Sequence, residues 1–104
     1  MMSRLNYETM FSSKLKKLRE SQQIPQRKIA AELEIDTATY CKIEKGERRA
    51  KRNQIQILAK ILKCDEEMLM KMWLADQVYD VVKNENDASE VLNIVQENIC
   101  SYGK

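Results

Sequence analysis

The chain has 104 residues, of which 43% are hydrophobic and 33% charged, with a net charge of +2 and no histidine. This size and composition predict one globular domain with a modest core and exclude a wholly disordered chain. No apolar run approaches the roughly 18 residues that a membrane span needs, and the first ten residues lack the apolar core of a signal peptide, so we expect the protein to stay in the cytoplasm.

The cysteines and the missing histidine argue against a catalytic or metal-binding role. Cys41, Cys64 and Cys100 form no Cys-x-x-Cys pair, a pattern typical of reduced thiols rather than of disulfides or a zinc site. Acid-base catalysis would fall to carboxylates or lysines, and none of these accompanies a glycine-rich turn or a nucleophile motif. We therefore predict no metal, no cofactor and no enzymatic activity.

The charge is unevenly distributed along the chain. Residues 1 to 63 carry 15 Lys and Arg against 7 Asp and Glu, a net +8, whereas residues 64 to 104 carry 3 against 9, a net −6. This split predicts an N-terminal two-thirds that binds a polyanion and a C-terminal third with a different role.

The local pattern favours helices throughout. The chain has two glycines, one proline and no strict period-two alternation, so we predict an all-α fold with short turns. The first helix is expected over about residues 9 to 22, where Phe11, Leu15 and Leu18 recur at steps of four and three.

Two short helices are predicted next. The second covers residues 26 to 33 and follows Pro25, which suits a helix start because its missing N–H would be unpaired there. The third covers residues 37 to 45, with Asp36 as the N-cap and Gly46 as the stop.

Two longer helices are predicted after the basic run, which we define as residues 45 to 52. The fourth covers about residues 53 to 62, and Asp65 is the expected N-cap of the fifth, with Glu66 and Glu67 where the helix dipole favours acids. The apolar residues of the fifth helix form a stripe wider than one neighbour covers: Met68, Met72, Ala75, Tyr79 and Val82, flanked by Leu69, Trp73 and Val81.

A sixth helix is predicted after a short linker at residues 84 to 86. The sequence DASE, residues 87 to 90, is similar to a capping box. Apolar residues follow at helical spacing: Ala88, Val91, Leu92, Val95 and Ile99. The linker is short enough to return this helix antiparallel against the fifth.

The second and third helices form the arrangement with the most specific chemistry. Two short helices joined by a three- or four-residue turn are a helix-turn-helix, whose second helix fits the major groove of B-DNA. Tyr40 and Ile43 lie three residues apart and are expected to face inward. The outer strip is short and lightly charged, and consists of Thr37, Ala38, Cys41 and Lys42.

The stretch QRKIAAELEIDTATYCKIEKG, which begins at Gln26, resembles the Cro/repressor, or XRE-like, helix-turn-helix family of bacterial and phage regulators. KLKKLRE before it and IQILAKILKCDEEML after it extend the resemblance to about residues 11 to 74. The resemblance implies a five-helix Cro/repressor-like DNA-binding domain at residues 1 to 83, with its core at about 9 to 74. Residues 84 to 104 would then be a C-terminal helical extension and a candidate dimerisation element.

The resemblance also implies roles for single residues. In this family an arginine at the position of Arg19 pairs with a glutamate at the position of Glu44, which would join the first helix to the end of the third. The chain departs from the family at three positions. Glu34 stands where the family has a turn glycine, Pro25 stands where it has a Ser or Thr N-cap, and Tyr40 stands where it has a Val or Ile. A left-handed backbone at Glu34 would cost about 1 kcal/mol. We expect the Tyr40 ring to pack inward and its hydroxyl to reach a phosphate.

The resemblance implies double-stranded DNA as the partner. Thr and Ala methyl groups suit thymine methyls, and a lysine suits guanine O6 and N7. The expected base contacts are Thr37, Ala38, Cys41 and Lys42. The expected phosphate contacts are Gln26, Arg27, Lys28, Tyr40, Lys45, Arg48, Arg49, Lys51 and Arg52. Taken alone, the basic run would also suit a solvated surface, and a redox role of Cys41 stays open.

The apolar residues of the C-terminal helices are candidates for self-association. One small module contacts too few base pairs for specificity, so we expect a homodimer on an inverted repeat. The candidate interface residues are Trp73, Tyr79, Val82, Val91, Val95 and Ile99. KIEKGERRAKR and WLADQVYDVV look most like small controllers of restriction-modification genes. The alternative function is a protein-interaction module, antitoxin-like or an adaptor, that binds a partner through this apolar face.

Overall fold

The computed structural model describes residues 10 to 102, which form six α-helices and no strand. The helices are α1 (Met10–Ser21), α2 (Gln26–Leu33), α3 (Thr37–Lys45), α4 (Arg52–Leu62), α5 (Glu66–Val82) and α6 (Ala88–Tyr102). The predicted all-α fold and the bounds of the second and third helices are confirmed, and α4 begins one residue earlier than predicted. The predicted start of the first helix at Thr9 lies outside the described residues. No helix in the described range is long and apolar enough to cross a membrane.

The first five helices enclose one hydrophobic core. α2 packs against α3 and α4, while α1 contacts α3, α4 and α5, and α4 packs along α5. The largest fully buried side chains come from all five helices: Leu15, Ile29, Tyr40, Ile43, Ile55, Leu58, Leu62 and Leu69. The predicted inward direction of Tyr40 and Ile43 on α3 is therefore confirmed.

Side-chain caps fix the starts of α3 and α5. The Asp36 carboxylate accepts a hydrogen bond from the backbone N–H of Thr39 at 2.8 Å, and the Asp65 carboxylate accepts one from Met68 at 3.1 Å. Both predicted N-caps are confirmed. Each satisfies a backbone donor that the first turn of a helix leaves unpaired.

Left-handed residues reverse the chain after each of the first four helices. Glu34 has φ 60° and ψ 42°, and Gln23, Lys63 and Gly46 have φ values of 59°, 56° and 80°. The turn after α2 thus has the left-handed conformation that glycine favours, although the residue is a glutamate. A non-glycine residue in this region is strained, by roughly 1 to 2 kcal/mol.

We predict that Glu34→Gly and Lys63→Gly each stabilise the fold by about 0.5 to 1 kcal/mol. Glycine removes the steric strain at positive φ, and the greater freedom of the unfolded chain offsets part of that gain. Urea unfolding would measure the change. Gly46→Ala is the matched control and should destabilise the fold by about 1 kcal/mol. A loss of stability in both Glu34→Gly and Lys63→Gly would contradict the inferred backbone strain at these two positions.

α6 does not return along α5, so the predicted antiparallel pairing of these helices is wrong. Residues 89 to 101 are all exposed, and α6 lacks the extensive packing that joins α1 to α5. The backbone gives the reason. Lys83, the residue that caps the C-terminal end of α5, has the ordinary right-handed conformation, with φ −61°, and no described residue after Lys63 has a positive φ. The left-handed residue that reverses the chain at the earlier junctions is missing here.

α5 has apolar residues on two faces. Leu69 and Trp73 face the core and are buried, whereas Leu74, Val78 and Val81 face outward with 41%, 48% and 76% of their surface exposed. The outward residues stand at steps of four and three, so they form a second apolar stripe on the same helix.

Candidate DNA-binding site

α2 and α3 form a helix-turn-helix through a tight turn at residues 34 to 36. The backbone N–H of Glu34 donates to the Ala31 carbonyl at 3.1 Å, and that of Ile35 donates to the Ala30 carbonyl at 3.0 Å. Ala30 is buried in the core, where its small side chain allows close packing. This turn sets the direction in which α3 leaves α2.

The outer strip of α3 is open to solvent. Thr37, Ala38 and Lys42 are exposed and Cys41 is partly exposed. Residues at these spacings share one face of a helix, because each turn contains 3.6 residues. The opposite face, with Tyr40 and Ile43, is buried. The structure therefore brings the four predicted base contacts together on one accessible surface.

Cations continue the exposed surface beyond the end of α3. Lys45, Arg48 and Lys51 are exposed, and the described residues place no acidic side chain within ion-pair distance of them. At the other side of the motif, Arg27 and Lys28 are exposed in the first turn of α2. Exposed cations thus lie both after the end of α3 and in the first turn of α2, an arrangement suited to a polyanion.

Two other cations of the basic run already have partners within the protein. The Arg49 guanidinium donates to the Asp80 carboxylate at 2.7 Å, and the Arg52 guanidinium carbon lies 5.8 Å from the centre of the Trp73 ring. Both predicted phosphate contacts are therefore connected to α5 in the free protein.

A buried ion pair fixes the end of α3 to α1. Arg19 Nε donates to Glu44 Oε2 at 2.6 Å, and its Nη2 donates to Oε1 at 3.1 Å. Arg19 Nη1 also donates to the Ile24 carbonyl at 2.9 Å. Gln26 Nε2 donates to Glu44 Oε1 at 3.0 Å, which adds the start of α2. This is the pair that the family resemblance implies, and it orients the exposed strip relative to α2.

The surroundings of Glu44 keep it ionised. Burial raises the pKa of Glu44, but the hydrogen bonds from Arg19 and Gln26, the adjacent Tyr40 hydroxyl and the Arg19 charge outweigh burial and lower it below its ordinary value. Burial, reinforced by the neighbouring Glu44 carboxylate, raises the pKa of Tyr40 far above its ordinary value. An ionised Glu44 therefore faces a neutral Tyr40.

Tyr40 is a core residue and not the phosphate contact that the sequence suggests. Its side chain is fully buried, and its hydroxyl faces Glu44 without a well-formed hydrogen bond. The inward ring places the hydroxyl in a buried position next to Glu44 and Arg19. The side-chain amide of Gln26 is likewise hydrogen-bonded to Glu44. An anion at the start of α2 would therefore contact the backbone N–H of Gln26 and not its side chain.

Two residues of the predicted dimer surface are also buried. Trp73 and Val82 expose 8% and 6% of their surface, and Trp73 belongs to the hydrophobic core. Tyr79 is partly exposed, whereas Val91, Val95 and Ile99 are exposed. Among the described residues, most of the apolar surface that remains open lies on the outward stripe of α5 and on α6.

The sequence patterns miss several contacts that shape this site. The buried Ser12 hydroxyl donates to the Ile43 carbonyl of α3 at 2.9 Å, and the Trp73 indole N–H donates to the Ala50 carbonyl at 2.8 Å. Ser12 lies three residues before the inward Leu15, and this spacing is a signal that it faces the core. No local signal indicates the partner of Trp73 or of Asp80.

Comparison with known proteins agrees with this geometry. A sequence model of the helix-turn-helix family matches residues 15 to 69, from α1 into the first turn of α5 and more than half of the chain. No curated protein and no solved structure gives a significant match. Proteins of this family are DNA-binding regulators and not enzymes. The chain belongs to the Cro/repressor-like helix-turn-helix family of DNA-binding transcriptional regulators.

Proposed function

We propose that this protein is a sequence-specific transcriptional regulator that inserts α3 into the major groove of duplex DNA. The observation that carries the proposal is the exposed strip of α3, which runs directly into the exposed cations Lys45 and Arg48. A strip of small and lightly charged side chains lets a helix approach base edges closely, and cations at its end meet the flanking phosphates.

The strip offers chemistry for reading bases. The methyl groups of Thr37 and Ala38 can contact thymine methyls, and the Lys42 ammonium can donate to guanine O6 and N7. Cys41 is partly exposed and small enough to let the helix lie deep in the groove. A surface of four side chains reads only a few base pairs per protomer.

The cations around the strip would fix its position on the duplex. Lys45, Arg48 and Lys51 are available on one side, and Arg27, Lys28 and the N-terminus of α2 on the other. Arg49 and Arg52 would contribute to phosphate binding as well, on giving up their contacts with α5. Such contacts supply affinity without sequence information.

Two single substitutions separate base reading from phosphate binding. Lys42→Ala should reduce discrimination at one base pair by about 1 to 3 kcal/mol. Arg48→Ala should weaken binding to all sequences and flatten the slope of log affinity against log salt by about 0.9. Lys71→Ala, at an exposed position of α5, is the control with the same charge change. Fluorescence anisotropy measures the affinity of all three variants for the preferred duplex and for duplexes altered at single base pairs. Wild-type affinity, discrimination and salt slope in both Lys42→Ala and Arg48→Ala would refute the proposed docking.

We further propose that two copies associate through α6 and the outward stripe of α5. An isolated helix of 15 residues is only marginally stable in water, so α6 needs a partner for its apolar residues. Ala88, Leu92, Val95 and Ile99 repeat at steps of four, three and four, the spacing of a helix-pairing seam. Two protomers related by a two-fold axis would read half-sites about 34 Å apart on an inverted repeat.

The same apolar surface favours a second candidate function. A partner protein, such as a toxin, could cover Leu74, Val78 and Val81 together with α6 in place of a second copy. Monomeric protein without sequence preference on DNA would favour this function. For the first function, transcriptional regulation, we propose the control of restriction-modification genes as the narrower role. This proposal rests on the resemblance of residues 42 to 52 and 73 to 82 to small controllers of such genes.

A further inference from the structure

One face of α5 holds the basic loop, which we define as residues 46 to 51. The indole N–H of Trp73 donates to the Ala50 carbonyl at 2.8 Å in a buried hydrogen bond. Two helical turns further along, the Asp80 carboxylate accepts from Arg49 at 2.7 Å. Between them, the Asp76 carboxylate accepts from the backbone N–H of Phe11 at 3.2 Å. α5 thus contacts both the basic loop and the start of α1.

The two halves of the basic loop are anchored by different helices. The backbone N–H groups of Glu47 and Arg48 donate to the Lys42 carbonyl at 2.9 and 3.3 Å, so the first half continues from α3. The second half passes a cleft of about 280 Å³ between the loop, α1 and α5. Across this cleft the second half of the loop contacts α5 through Arg49 and Ala50. The Arg49 contact with Asp80 is exposed, so the hydrogen bond from Trp73 to Ala50 is the buried anchor.

Building on the proposed DNA binding, we propose that Trp73 is a positioning residue for it. By holding the Ala50 carbonyl, the indole fixes the second half of the basic loop, and with it the spacing of Arg48 and Lys51 on either side of Ala50. Arg52 also lies over the ring, so Trp73 contacts both the loop and the first residue of α4. A loop held in this way meets phosphates without first becoming ordered.

A purely structural role for Trp73 makes a different prediction. Its ring fills the core, and a phenylalanine would fill much of the same space without offering an N–H. Trp73→Phe therefore removes the anchor and keeps an aromatic core residue. Leu69→Val is the matched control, because Leu69 is fully buried one turn earlier on α5 and its aliphatic side chain has no hydrogen-bond donor to offer the loop.

The test compares the wild type, Trp73→Phe and Leu69→Val as full chains at a temperature where circular dichroism shows all three folded. Each is titrated with a mixed-sequence duplex across a salt series. We expect Trp73→Phe to bind about tenfold more weakly and with a salt slope flatter by about 0.9 for each phosphate that the loop no longer neutralises. Leu69→Val should keep the wild-type affinity and slope.

Limited trypsin digestion gives a readout that needs no DNA. Release of the loop should expose the bonds after Arg48 and Arg49, so Trp73→Phe should be cut there about tenfold faster, with no such change in Leu69→Val. Wild-type affinity and slope in Trp73→Phe, whether or not cleavage accelerates, would overturn the positioning role. An absence of salt-dependent DNA binding by the wild type would instead overturn the proposed function, and the wild-type titration shows that outcome separately.

Discussion

Replacing Arg19 with methionine is expected to destabilise the fold by about 3 to 5 kcal/mol. Methionine preserves much of the packing of the arginine stem but leaves the Glu44 carboxylate, which is 8% exposed, without its charged partner. The Gln26 amide and the adjacent Tyr40 hydroxyl remain, but both are uncharged and cannot balance a buried negative charge. Chemical denaturation at neutral pH measures the loss. A loss below about 1 kcal/mol, the value of an exposed pair, would show that the pair contributes little.

The ion pair also predicts the direction in which stability changes with pH. In the wild type the pKa of Glu44 is lowered from its ordinary 4.5, so the unfolded chain binds more protons at this site than the folded chain does. The contribution of Glu44 to stability is therefore present above about pH 4.5 and is lost as pH falls through the lower folded pKa. In Arg19→Met the effect of pH on stability should reverse: the variant should become more stable as pH falls, because protonation of Glu44 removes the buried charge. Arg19→Met/Glu44→Gln is the control and should recover much of the loss at neutral pH.

Placing acids on the apolar stripe of α6 is expected to separate the protomers and to weaken binding to an inverted repeat by between about a hundredfold and ten-thousandfold. Val95→Asp/Ile99→Asp adds two charges at positions that are 46% and 62% exposed in the protomer, so the domain itself should stay folded. The loss arises because each half-site would then be bound independently. Sedimentation and DNA titration measure the two effects on the same samples.

The control for this variant adds the same charge to another side of α6. Asn93→Asp/Ser101→Asp alters two exposed polar positions that lie away from the apolar stripe, and it should remain dimeric with wild-type affinity apart from a small electrostatic loss. A wild-type protein that sediments as a monomer would refute the dimer. A Val95→Asp/Ile99→Asp variant that stays dimeric and binds normally would place the interface elsewhere.

The motif and its core could be predicted because their signals are local. The N-cap Asp36, the stop at Gly46 and the three-four spacing of buried residues fix α3 within the sequence itself. The turn at Glu34 shows the limit of such rules: its left-handed geometry exists without glycine, since the packing of α2 against α3 outweighs a local strain of roughly 1 to 2 kcal/mol.

The C-terminal third could not be predicted in the same way, because α5 is apolar on two sides. Periodicity places Trp73 and Leu74 on a helix but cannot decide which of them faces the core. That choice depends on α1, α4 and the basic loop, whose contacts with α5 join residues far apart in sequence, as Arg49 and Asp80 are. The path of α6 depends on a backbone angle at Lys83 that no residue type signals.

The most direct measurement is the selection of bound sequences from a random duplex pool by the purified protein, followed by titration of the selected and scrambled duplexes across a salt series. We expect a short inverted repeat, with half-sites one helical turn apart, that is bound at least about a thousandfold more tightly than scrambled DNA. Enrichment of no sequence, with weak and equally salt-sensitive binding to every duplex, would contradict sequence-specific recognition by α3.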